Sequence, residues 1–125
     1  MAEMTDLHSE VRQRAYRLPV PSGPVVYFIG TPTGRHIKIG FTKDIRGRLA
    51  GLQTGNPSPL DLWAYECAGL DREKELHHRF RRSRGNGEWF LIKTPILRHI
   101  EGLQLAIAEA HGIDPTVEDW PDDCI

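Results

Sequence analysis

Residues 25–49 read VVYFIGTPTGRHIKIGFTKDIRGRL, and this stretch decides the fold. Two β-branched and aromatic runs, 25–29 and 37–41, are strand material. The GTPTGR between them is rich in residues that turn a chain. The spacing predicts a hairpin centred near Pro32 and Thr33, which sets Tyr27 opposite Lys38. Directly opposed residues share a face, with Cβ atoms about 5 Å apart. Gly40 ends the second strand, and Thr42 is placed to cap the helix that follows. On that helix Ile45, Leu49 and Leu52 form one apolar stripe, with Arg48 at its edge. A phenol, an ammonium and a guanidinium therefore converge on one small frame.

Outward from this frame the elements are simpler. Residues 5–18 suit a helix capped by Thr5, with Leu7, Val11 and Leu18 on one face. PVPSGP then breaks regular structure. Beyond the core helix, TGNPSP is a turn and residues 60–67 read as a third strand. Strict alternation puts Leu62, Ala64 and Glu66 on one face and Trp63, Tyr65 and Cys67 on the other. Residues 71–83 suit a second core helix. At about 100° per residue, Leu76, Phe80, Glu73 and His77 fall within an arc of roughly 100°. An apolar stripe thus carries a carboxylate and an imidazole, and a carboxylate there needs a partner. GNGEWF is a Gly-rich turn leading to a buried aromatic pair. Thr94 and Pro95 open a last helix as cap and first residue, with Ile96, Ile100, Leu103 and Ile107 on one face.

A chain of 125 residues with 39% hydrophobic and 26% charged residues is an ordinary one-domain globular composition. No apolar run approaches the roughly 20 residues that span a bilayer. The N-terminus MAEMTDLHSE lacks a secretory pattern. Cys67 and Cys124 read as free thiols, so a cytoplasmic location is expected. The net charge of −1 conceals a division. Residues 24–100 hold 13 Lys and Arg against 7 Asp and Glu, whereas 101–125 hold 7 acids and no Lys or Arg. A basic core with an acidic tail suits a polyanion partner, although a solvated surface with a solubilising tail reads the same way. The organisation is an N-terminal helix and linker over 1–23, a core over 24–92, and a helix with acidic tail over 93–125.

The motifs of the core resemble the GIY-YIG nuclease superfamily. Val25-Val26-Tyr27 stands where the first signature is expected, and Lys38-Ile39-Gly40 stands for the second. Arg48 falls eight residues after Gly40, matching the family's helical Arg. The first signature lacks its Gly, and the second has Lys where many members have Tyr. The Lys-Ile-Gly form, with LQTGNPSPL and EKELHHRFRRSRGNGEWF, is similar to a phage-associated branch. The resemblance implies an α+β fold in which a small three-stranded antiparallel sheet is flanked by helices, and the chain's own pattern adds helices at both ends. It also implies a metal-dependent DNA endonuclease using a single Mg²⁺ or Mn²⁺, with Glu73 as the metal ligand.

The residues support the same roles with plainer alternatives beside them. Glu73 offers the carboxylate that a hard cation takes, or it pairs with an Arg. Tyr27 is the candidate general base, and a facing Lys38 would favour its phenolate; otherwise Lys38 contacts phosphate and Tyr27 only packs. Arg48 offers a planar fork to a phosphate, or an ion pair at a helix edge. His77, one turn after Glu73, orients it, donates to the leaving oxygen or bonds a carbonyl. Lys43, Arg46, Arg79, Arg82 and Arg84 are the candidate DNA-backbone contacts. The alternatives to an endonuclease are a non-catalytic nucleic-acid-binding module of the same fold and a protein-interaction domain. No small-molecule cofactor beyond the metal and no membrane partner is expected.

Overall fold

In the computed structural model Tyr27 pairs with Gly40, and Lys38 pairs with Ile29. The two predicted runs do form an antiparallel hairpin, β1 (Val25–Gly30) and β2 (His36–Thr42). The register is shifted by two residues from the expected one. An even shift keeps every side chain on its predicted face. Tyr27 and Lys38 therefore share a face as diagonal neighbours, and the expectation of direct opposition is corrected. The structure describes residues 2–31 and 35–114. The hairpin centre at Pro32 and Thr33 lies outside them, as do the acidic tail from residue 115 and Cys124.

The sheet has four strands rather than three, in the order β3-β1-β2-β4, with every neighbouring pair antiparallel. β3 is Asp61–Glu66, and the added strand β4 is Trp89–Leu91. Three residues are too few to show a period of two, so GNGEWF reads as a turn and an aromatic pair. Its aromatic pair is the strand itself: Trp89 pairs with Lys38 and Phe90 with Ile37. The strict alternation expected of β3 also fails. A bulge lies where Phe28 pairs with Ala64 and Ile29 with Leu62, which leaves Trp63 out of the ladder. Trp63 and Ala64 then join the core on one side of the sheet, and Leu62 and Tyr65 the core on the other.

Helices cover both faces. On one, Val26, Phe28, Ile37 and Ile39 pack with Leu76 and Phe80 from the α3 segment, Val11 of α1, and Ile96, Leu97 and Ile100 of α4. α1 spans Ala2–Ala15, α3 Leu70–Arg79 and α4 Thr94–Ala110. On the other face, Tyr27, Ile29, Leu62 and Tyr65 pack with Ile45, Leu49 and Leu52 of α2, Ile45–Thr54. α1 starts earlier than expected, and the side chain of Thr5 lies outside the described residues. The second core helix is shorter than 71–83, since Arg81–Ser83 forms a 3-10 turn. Lys93, not Thr94, precedes α4 as its cap residue.

Buried polar contacts fix these layers. Gln104 of α4, 1% exposed, donates its Nε2 to the carbonyls of Val11 at 2.7 Å and Trp63 at 2.8 Å. The bulge frees the Trp63 carbonyl for this bond. Glu66 accepts from Arg72 Nε at 2.7 Å and lies 2.8 Å from His99 Nε2, joining β3, α3 and α4. Burial pushes the Glu66 carboxyl up, but the bonds to Arg72 and His99 outweigh it and hold the group below its ordinary value.

Candidate active site

The site lies where β4 begins alongside β2. The β2–β4 ladder stops at the Lys38–Trp89 pair, and the remainder of β2 continues past it. At this point one residue, Ile39, pins two others. Its N–H donates to the Glu88 carbonyl at 3.0 Å. Its own carbonyl lies 2.8 Å from His77 Nε2. A carbonyl only accepts, so Nε2 carries the proton and the neutral ring keeps its lone pair on Nδ1. His77 thus bonds a carbonyl, one of the roles the sequence left open for it. Its ring also packs against Phe90, with centroids 5.1 Å apart.

Tyr27 rises from the centre of β1 and is 1% exposed. Its phenol lies over Gly40: a Cβ built on Gly40 would stand 2.4 Å from the phenol oxygen and 3.1 Å from Glu88 Oε2. Only a residue without a side chain fits beneath that ring. The second signature's Gly is therefore required for space, since Gly40 has no positive φ. Glu88 Oε2 in turn holds Lys38 Nζ at 3.2 Å, and the ammonium lies 5.5 Å from the Trp89 ring centroid.

Lys38 is not among the groups that act on the Tyr27 phenol in this arrangement. Burial pushes the phenol up to about 12. The Glu88 carboxylate adds to this, Arg48 opposes it, and Glu73 adds to it more weakly. The Lys38 ammonium is engaged by Glu88. Arg48, one turn beyond the α2 cap, is solvent-exposed and acts on the phenol through space. α2 is capped by Asp44, whose side chain accepts from the Gly47 N–H at 3.2 Å. Thr42, the expected cap, instead accepts from the Asp44 N–H at 3.1 Å and shapes the turn before the helix.

Glu73 and His77 lie one turn apart on α3. One donor atom from each, with one from Glu88, lies within 4.8 Å of the others. A single ion with ligands at about 2.0 to 2.3 Å separates opposite donors by roughly 4 to 4.6 Å, so the three residues suit one divalent cation with little movement. Glu88 was not among the candidates read from the sequence. A carboxylate one residue before an unrecognised strand had no assigned face; the pairing of Trp89 with Lys38 is the signal that locates it.

The predicted DNA contacts are less coherent. Lys43 and Arg46 are exposed near the start of α2. Arg82 is exposed in the 3-10 turn. Arg84 donates to the Gly87 carbonyl at 2.7 Å and lies over the Phe90 ring, bracing the turn that presents Glu88. Arg79 lines a separate open groove between α3 and α4 with Phe80, Arg98, His99 and Leu103. The described residues contain no helix long and apolar enough to cross a membrane.

No curated protein and no solved structure matches the chain. The T5orf172 domain matches residues 24–107, from the residue before β1 through most of α4. The match takes in the hairpin, the bulged third strand and the whole Glu73–His77–Glu88 cluster, and it covers well over half of the sequence. The chain belongs to the T5orf172 domain family, a phage-associated family of nuclease-like domains.

Proposed function

We propose that this chain is a metal-dependent DNA endonuclease that hydrolyses phosphodiester bonds. The observation that carries the reading is that Arg48, Glu73 and Glu88 all act on the phenol of Tyr27, which stands over Gly40 beside Glu88 where the β2–β4 ladder ends. An uncharged packing core has no use for two carboxylates facing a buried phenol. A phosphodiester site needs this set: a base, a cationic fork and oxygen ligands.

In this reading Arg48 takes a non-bridging phosphate oxygen through its planar fork and offsets the charge that grows in the transition state. Glu73 holds Mg²⁺ or Mn²⁺, which when bound polarises the phosphoryl and leaving oxygens. Tyr27 takes a proton from the attacking water. Its phenol is too weak an acid alone, being pushed up to about 12. Engaging Glu73 and Glu88 removes two of the smaller fields that hold the proton, while burial, the largest cause, continues to hold it. Lys43 and Arg46 contribute backbone contacts beside Arg48.

A second reading, DNA binding without turnover, is favoured by that same high phenol value. One assay separates the two. Plasmid and branched DNA are incubated with the protein and Mg²⁺, Mn²⁺ or chelator. Metal-dependent nicking supports the endonuclease, and salt-sensitive binding without nicking supports the binding module.

A further inference from the structure

Glu88 faces two competing partners. Its Oε2 holds the Lys38 ammonium at 3.2 Å. One of its oxygens also lies within 4.8 Å of donor atoms on Glu73 and His77. We propose that Glu73, His77 and Glu88 together form a three-donor site for a transition-type divalent ion of the Mn²⁺ class, and that the Lys38–Glu88 pair is its closed state, which the ion opens. The use of that ion in cleavage rests on the endonuclease reading; the ion chemistry does not.

The donors are held in advance. Ile39 anchors both flanks, through its N–H to the Glu88 carbonyl and its C=O to His77 Nε2. A histidine that ligates a metal commonly gives its other ring N–H to a carbonyl or carboxylate, which fixes tautomer and orientation. The His77–Ile39 bond has that form and leaves Nδ1 as the donor. Phe90 packs against the ring and limits its rotation. Glu73 and His77 keep their spacing because they sit one turn apart on α3.

The donor set also selects the ion. Mg²⁺ prefers oxygen ligands and keeps several waters, so it gains little from an imidazole. A mixed site of one nitrogen and two carboxylates favours first-row transition ions. Without an ion, the two carboxylates need a counter-charge, and Lys38 supplies it. A divalent ion replaces that charge and releases the ammonium. Lys38 has a second resting place against the Trp89 ring, 5.5 Å from its centroid, so losing Glu88 does not strand it. The released ammonium is then available to a phosphate. The Lys of the second signature thus acts as a gate on Glu88 rather than as a tuner of Tyr27.

The test is Mn²⁺ binding to the full chain without DNA, followed by loss of the free Mn²⁺ paramagnetic resonance signal. Mg²⁺ is the competitor, and metal-free melting curves check that each variant folds. The proposal expects one Mn²⁺ per chain, bound at least tenfold more tightly than Mg²⁺. Glu88→Gln and His77→Gln should each weaken Mn²⁺ at least tenfold. Lys38→Met should tighten it several-fold, because the competing pair is gone; loss of a merely structural salt bridge has no such effect. Wild-type affinity in folded Glu88→Gln, or unchanged or weaker binding in Lys38→Met, overturns the proposal. If the ion binds as expected but DNA is never cut, the endonuclease reading fails and the site stands. If DNA is cut while Glu88→Gln binds Mn²⁺ like wild type, the reverse holds.

Discussion

Gly40 lies beneath the phenol of Tyr27, so closely that a methyl group built on it would stand 2.4 Å from the phenol oxygen. The ring cannot retreat, because Tyr27 is 1% exposed and packed among Ile29, Ile45 and Tyr65. Gly40→Ala should therefore displace the phenol at a cost of about 1 to 3 kcal/mol, the usual penalty for overpacking. Urea unfolding measures this. Unchanged stability would mean that the ring has free space elsewhere.

Tyr27 should also leave a mark on stability at high pH. Its folded value of about 12 exceeds the ordinary 10.0. Between these values the unfolded chain has lost the phenolic proton and the folded chain keeps it. Stability is therefore full below pH 10 and falls as pH rises through that window, by up to about 3 kcal/mol. Tyr27→Phe removes this component. Denaturant unfolding of both proteins at pH 8 and pH 11.5 should show a smaller alkaline loss in the Phe variant; parallel losses would place the phenol in an ordinary aqueous environment.

The hairpin, α2, α3 and α4 are legible because each carries a clear hydrophobic period. The faces of β1 and β2 survive a wrong register because the shift is even. The register itself is not legible, since GTPTGR holds several residues able to turn the chain. Glu73 and His77 are visible as polar residues in an apolar stripe. Glu88 is hidden because β4 is three residues long. The β3 bulge is hidden too, since Leu62 to Tyr65 looks like plain alternation and the partner that bonds the freed Trp63 carbonyl, Gln104, lies 41 residues away. What is local in the sequence can be read; what depends on non-local pairing cannot.

Gln104→Leu tests that non-local contact. The change keeps the side-chain bulk but strips the carbonyls of Val11 and Trp63 of a donor. Leaving buried acceptors unpaired should cost about 2 to 4 kcal/mol. Chemical denaturation gives the value, and a loss under 0.5 kcal/mol, about the size of a neutral surface change, would show that the carbonyls find other donors.

Arg48 and Arg46 are both exposed on α2, but only Arg48 acts on the Tyr27 phenol. Arg48→Ala should lower the cleavage rate ~10²-fold, the effect of removing one charged transition-state donor worth about 3 kcal/mol. Arg46→Ala should mainly weaken DNA binding and reduce its salt dependence. Equal small effects from both would indicate a general basic surface.

Glu73 is placed for chemistry rather than folding, beside His77 and Glu88. The most direct measurement is the single-turnover cleavage rate of Glu73→Gln on plasmid DNA with Mn²⁺, taken together with its DNA affinity and melting temperature. Cleavage should be indistinguishable from the chelator control, with affinity and melting close to those of the wild type. Wild-type cleavage by the Gln variant at limiting Mn²⁺ would contradict that role.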